Sequence, residues 1–155
     1  AEAAAAIAKL SAAILEEARN DATVRRLMSA PCVGPMIAVL FAAKLEDPNR
    51  FRSWRSCAAW LGLTPKEDAS AEKRRLGAIS KAGDEDLRSL LVLGTASVLQ
   101  HAKRNPAKAD PWVRNILQRR PFKVAAVALA ARTARILWAL LKSGESYTPR
   151  RSKTA

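Results

Sequence analysis

The chain has 155 residues, enough for one domain with a real core, and 49% of them are hydrophobic. It has no stretch of about 18 consecutive apolar residues to span a membrane, and its alanine-rich start has no basic segment leading into a signal peptide. Cys32 and Cys57, without CxxC spacing, and the single His101 exclude a zinc site and point to a reduced, cytoplasmic setting.

The formal net charge of +13 is unevenly spread. Residues 1–48 hold five Lys/Arg and six Asp/Glu, a net of −1, while residues 49–155 hold 22 and eight, a net of +14. Basic character therefore belongs to everything after the first third, and nucleic acid is the expected partner. No segment joins a basic face to a strong aromatic-apolar one, so no membrane surface is expected.

Ala1–Arg19 reads as a helix: alanine is the best helix former, and Ile7, Leu10, Ile14 and Ala18 recur on one face. Asn20-Asp21 stops it and caps the next helix. Thr23–Ala30, Pro31-Cys32-Val33-Gly34 and Pro35–Leu45 have the layout of a helix-hairpin-helix, with Leu27 and Met28 set to pack on Ile37, Ala38 and Phe41. In such a motif the backbone N–H groups at Val33 and Gly34 can meet a DNA phosphate; a purely structural tight turn accounts for the same residues. Glu46–Asn49 is a turn. Phe51–Leu61 returns to helix, with Trp54 and Trp60 read as structural.

Thr64–Asp84 has no apolar periodicity over its first half and is expected to be a basic loop between two helices. It gathers Lys66, Lys73, Arg74, Arg75 and Lys81 around Ser70. A hydroxyl among cations, carried between rigid helices, suits a phosphodiester; a solvated basic loop is the plainer reading. Asp84 is an N-cap for a helix to Lys103, with Glu85 and Asp86 in its first turn. That explains the acidic trio better than a metal site, since adjacent helical residues point apart. Asp110-Pro111 starts a helix ending near Arg119-Arg120, and Phe122–Ser143 forms the last, stopped by Gly144. On that last helix Arg132, Arg135 and Lys142 share a side, facing the basic loop or DNA. Residues 148–155 read as a disordered basic tail. The expected fold is all-α, about six helices, with a core built from Leu27, Phe41, Trp60, Leu91, Leu137 and Trp138.

The central segment reads Gly62-Leu63-Thr64-Pro65, Ala69-Ser70-Ala71-Glu72-Lys73 and Arg75-Leu76-Gly77-Ala78-Ile79-Ser80-Lys81-Ala82-Gly83-Asp84, closed by Leu87-Arg88. This resembles the C-terminal domain of the IS116/IS110/IS902-type insertion-sequence transposases, relatives of the Piv-type DNA invertases, over about Leu27 to Tyr147. Their pattern runs approximately Gly-Leu-x-Pro, Ser-Ser-Gly-Gly-Lys, then Arg-x-Gly-x-Ile-Ser-Lys-x-Gly-Asp/Asn-x-x-Leu-Arg. The resemblance implies division of the chain into residues 1–20, the end of a coiled-coil or linker helix, and 21–147, the serine-bearing transposase domain. An ordinary amphipathic core helix accounts equally well for the first segment. The resemblance also implies DNA transposition by a protein that pairs this domain with a RuvC-like acidic domain holding a divalent metal such as Mg. It implies a structured guide RNA, oligomerisation when full length, and action at the nucleoid of a bacterium.

Under that resemblance Ser70 is the nucleophile, with Ser80 the alternative, and Lys66, Lys73, Arg74, Arg75, Lys81, Arg88, Val33 and Gly34 contact nucleic acid. Ser80 is also explained by capping or phosphate binding. Three departures stand out. Cys32 replaces the first glycine of the family's Pro-Gly-Val-Gly hairpin, and Ala71 and Glu72 replace both glycines after the serine. A serine hydroxyl needs a base or metal to take its proton and cations to stabilise the phosphoryl transition state. This sequence offers the hydroxyl and the cations but no carboxylate cluster or cofactor site. The expectation is half of a composite site, a fragment that binds but does not cut alone. The alternatives are a non-catalytic DNA- or RNA-binding module, such as a decayed transposase, and a basic structural protein bound to RNA.

Overall fold

A computed structural model of the chain describes residues 1–68, 75–79 and 83–149. The body is all-α. Its helices are α1 (Glu2–Asn20), α2 (Ala22–Met28), α3 (Pro35–Lys44), α4 (Trp54–Trp60), α5 (Glu85–Arg104), α6 (Pro111–Arg119) and α7 (Phe122–Ser143), with 3-10 turns at Pro48–Arg50 and Pro106–Lys108.

The caps are those expected from the residue types. Asp21 ends α1 in extended backbone and accepts from Val24 N at 3.0 Å to open α2. Asp84 accepts from Leu87 N at 2.9 Å and Asp110 from Trp112 N at 2.8 Å, opening α5 and α6. One boundary moves: α4 begins at Trp54 and not at Phe51, because Ser53 is extended and its hydroxyl accepts from Ser56 N. Phe51 is buried outside the helix. Gly62, at φ +70, closes α4: its N–H reaches Ala59 O and that of Leu63 reaches Ala58 O, each at 3.0 Å.

The expectation of a bare loop after α4, with no strand, is corrected. Pro65–Asp68 (β1) and Arg75–Ile79 (β2) pair antiparallel, with Pro65 opposite Ile79, Glu67 opposite Leu76 and Asp68 opposite Arg75. The register is irregular between Pro65 and Glu67. Neither segment alternates apolar and polar residues, so no period-2 signal marks them. So short a ribbon is marginal alone and depends on how its base is held.

The core forms around α7. Leu27, Phe41, Leu91 and Leu137 of the expected core are almost completely buried, together with Leu45, Leu61 and Leu87. Trp60 and Trp138 instead lie at its margin, partly exposed. The reason is their polar and cationic company: Trp138 Nε1 donates to Pro48 O at 3.0 Å, and the Arg50 guanidinium stands 5.3 Å from the Trp60 ring centroid. A second cluster, with Leu99, Val113 and Leu129 among its buried residues, joins α5, α6 and α7. Thr95 stitches α5 to α7 by donating to Ala126 O at 3.0 Å, and a Cβ on Gly94 would stand 2.9 Å from Ile37 Cδ1, so α3 and α5 approach closely there. Among the described residues α7 alone has the length and apolarity to cross a bilayer, but its apolar stripe, including Ala130, Ala134 and Leu137, is the centre of this core. Only Ala18 of α1 is buried; Ile7 and Leu10 are exposed.

Candidate nucleic-acid interface

The ribbon leaves the body at one corner, where the end of α4 meets the start of α5. Gly83 has φ +85, and a Cβ there would fall 1.6 Å from Trp60 O, so no other residue fits. Asp84 N–H lies 3.4 Å from the same Trp60 carbonyl. Arg88, expected to touch nucleic acid, is 8% exposed, and its Nη1 donates to Leu61 O at 3.2 Å. Its described contact fastens α5 to the end of α4. Helical spacing turns position 88 inward beside Leu87 and Leu91, a preference the two-residue motif Leu87-Arg88 does not display.

Lys44, at the end of α3, completes the corner. Its Nζ lies 2.6 Å from Asp84 Oδ2 and 3.8 Å from the exposed Asp86. Burial pushes the Asp84 carboxyl up, but the Lys44 hydrogen bond, the Leu87 N–H and the charges of Lys44 and Arg88 outweigh it and hold the group below its ordinary value. The bond to Asp84 raises Lys44 in turn. The first acid of the trio is therefore committed to capping and pairing. Among the described residues no group of three His, Cys, Asp or Glu is placed to hold a metal.

Of the expected ribbon residues, Lys66 lies in β1 and Arg75 in β2. Ser70, Ser80, Lys73, Arg74 and Lys81 lie outside the described residues. Ser70 belongs to the connection that leaves β1 at Asp68, whereas Ser80 comes directly after Ile79, the partner of Pro65. Those strand ends are three residue rises apart, about 10 Å along the ribbon.

The α2–α3 turn places Cys32 at φ +69, a conformation that disfavours an L side chain. Gly34 has φ −92 in extended backbone at the start of α3, with nothing within 4 Å of where a Cβ would stand. Val33 is half-buried against the core. Burial pushes the Cys32 thiol above its ordinary value and Asp110 adds to this, against the opposing pull of Arg132 and a Thr133 hydrogen bond. Burial alone raises Cys57 to about 11. Neither is a reactive thiolate. Cys32, Asp110, Arg132, Thr133 and His101 share a pocket of about 180 Å³.

A second basic surface lies between α4, α6 and α7. The Arg132 guanidinium stands 4.6 Å from the Trp112 ring centroid and that of Arg135 5.0 Å from Trp54, with Arg55 5.6 Å from Trp54. Arg132 also lies 3.7 Å from Asp110. Sequence reasoning grouped Arg132 with Arg135 but treated Trp54 as structural and gave Trp112 no role. The usable signal was Ala128, Ala131, Arg132 and Arg135 on one α7 stripe, two small residues beside two cations. Lys142, placed on the same side, stacks on Trp138 at 4.9 Å.

Residues 24–116, from α2 through the ribbon into α6, match the family described as Transposase IS116/IS110/IS902. The chain belongs to that family. It is 46% identical over 147 residues to a putative transposase, y4pF/y4sB, of Sinorhizobium fredii, covering 94% of this chain and 38% of that protein. It is 43% identical over 145 residues to a probable family 20 transposase of Pseudomonas aeruginosa, covering 94% and 43%. With the transposase for insertion sequence element IS1111A of Coxiella burnetii it shares 36% identity over 130 residues, covering 84% and 36%. The chain thus spans about two fifths of the length of these relatives.

Proposed function

We propose that this chain is the DNA-binding, serine-bearing part of a transposase that cuts and rejoins DNA strands. One observation carries the reading: the family match runs across a ribbon whose two ends are pinned to the helical body by Gly83, Asp84, Lys44 and Arg88. A nucleophile must be delivered within a few tenths of an ångström, and a ribbon seated on fixed helices is a way to do that. In the proposed step Ser70 Oγ attacks a backbone phosphorus and forms a serine–phosphate ester. The serine proton passes to a base or solvent, the P–O bond to the leaving strand breaks, and the leaving oxygen takes a proton to become that strand's free hydroxyl. Lys73, Arg74, Arg75 and Lys81 stabilise the charge on the transferring phosphoryl group. When bound, the divalent metal would supply Lewis-acid stabilisation from the accompanying acidic domain; none of the described residues is assigned to it. A structured RNA guide, self-association and action at the bacterial nucleoid belong to the same proposal, as does phosphate contact by Lys66 and by the Val33 and Gly34 backbone.

The test is made with the acidic domain and RNA supplied. Wild-type protein forms a protein–DNA band that survives denaturation, Ser70→Ala abolishes it, and Ser80→Ala only weakens it. DNA affinity changes little in either, because a contact made by many cations loses little with one hydroxyl. Replacing Ala71 and Glu72 by glycine raises the yield by freeing the backbone and removing a negative charge. Persistence of the band in Ser70→Ala with loss in Ser80→Ala moves the nucleophile. A lack of any band even with the glycines restored favours a non-catalytic binding module.

A further inference from the structure

We infer that the cleft between Trp54 and Trp112 binds an unpaired stretch of DNA, bases stacking on the indoles and phosphates lying on Arg132 and Arg135. The inference rests on the DNA-binding reading above and adds to it a place and a strand state. The cleft has a volume of about 420 Å³, and among the described residues it is lined by the two tryptophans, the two arginines, Ala128 and Ala131. The alanines form a low floor on α7, so the indoles stand at the sides of a slot with room for a planar base.

Both indoles are partly exposed, although Trp112 also packs against the second core cluster. Each carries a stacked guanidinium at 4.6 or 5.0 Å. A guanidinium laid on an aromatic face keeps its N–H fork free to meet phosphate oxygens while the stack restricts its motion. Arg135 is exposed and enters no salt bridge among the described residues. Among the described residues Asp110 reaches Arg132, at 3.7 Å between two partly exposed groups, a contact that solvent weakens. Aromatic platforms between cations that track a backbone are the physical requirement for single strands. A duplex would hide its base faces from the indoles. The DNA-binding reading above assigns the occupant to DNA, with RNA as an outcome of the test.

The full chain is titrated at low salt with a labelled oligothymidylate of about a dozen nucleotides, with an abasic strand of equal length and charge, and with oligouridylate. The oligothymidylate binds on the order of tenfold more tightly than the abasic strand. Trp54→Ala and Trp112→Ala each bring the two together, while Trp54→Phe keeps most of the difference. Arg135→Gln weakens both strands and lowers the salt dependence by about one phosphate contact. The abasic comparison needs no variant, so it decides the matter even if Trp112→Ala fails to fold. Equal binding of the intact and abasic strands overturns the slot while leaving DNA binding standing. Oligouridylate bound about tenfold more tightly than oligothymidylate overturns the assignment to DNA. Failure to bind any of the strands or a duplex overturns this inference and the DNA-binding reading together.

Discussion

The two basic regions of this molecule hold their charge in different ways. On the α4–α6–α7 face Arg132 and Arg135 each lie on an indole, and their Cα atoms sit on a 22-residue helix whose other side is the core. On the ribbon, Lys66 and Arg75 ride on strands of four and five residues, and among the described residues the seat is made by contacts at Trp60, Leu61 and Lys44. A face of the first kind keeps its shape as long as the domain is folded. The second depends on its seat, and loss of one seat contact can disturb the ribbon without unfolding the body. The first suits gripping a strand, and the second suits bringing one group to a chosen atom.

The sharpest way to break this contrast is Gly83→Ala. The new Cβ would collide with the Trp60 carbonyl in a backbone conformation that disfavours any side chain. We expect a loss of about 3 kcal/mol or more in urea unfolding, and a loss below about 0.5 kcal/mol would mean the seat is not as described. Arg88→Met comes next. It strips the Leu61 carbonyl of a charged donor, and we expect about 2 kcal/mol of destabilisation. The salt dependence of DNA binding by the folded variant should stay unchanged. A fall equal to one phosphate contact would return Arg88 to the nucleic-acid surface.

Most of the body was legible in the sequence because helices announce themselves locally. Asp21, Asp84 and Asp110 cap where their residue types say they should, and Leu27, Phe41, Leu91 and Leu137 recur at core spacing. What escaped depends on contacts distant in the chain. The ribbon pairs residues without apolar alternation, and Arg88 finds its carbonyl partner 27 positions away. The Trp54–Arg135 stack likewise joins α4 to α7. For the proposed site, family motifs named the residues, but helical phase, which motif matching ignores, moved Arg88 inside.

Cys32→Gly tests the face side of the comparison with the opposite sign. At φ +69 a glycine escapes a strain of about 1–2 kcal/mol but forfeits the partly buried thiol beside Thr133. We expect a net gain of about 0.5–1 kcal/mol in chemical unfolding. A net loss would show that the thiol's packing outweighs its backbone strain.

The smallest effect is expected for Asp84→Asn, and it is read as a pH dependence. Asparagine caps a helix as well as aspartate does, so the bond from Leu87 N–H is kept while the charge facing Lys44 is lost. Asp84 titrates below its ordinary 3.8 when folded, so its contribution is complete above that value and is lost as pH falls through the folded one. Lys44 titrates above its ordinary 10.5, so its share is complete below 10.5 and is lost as pH rises through the folded value. Asp84→Asn should therefore be slightly less stable than the parent across the neutral range. The gap should narrow only at strong acidity, below the ordinary carboxylate value, and again above the ordinary lysine value. Added salt should narrow it at neutral pH, because Lys44 is partly exposed. No gap at neutral pH would mean that the carboxylate serves only as a cap. The seat would then rest on Gly83 and Arg88 without help from the ion pair.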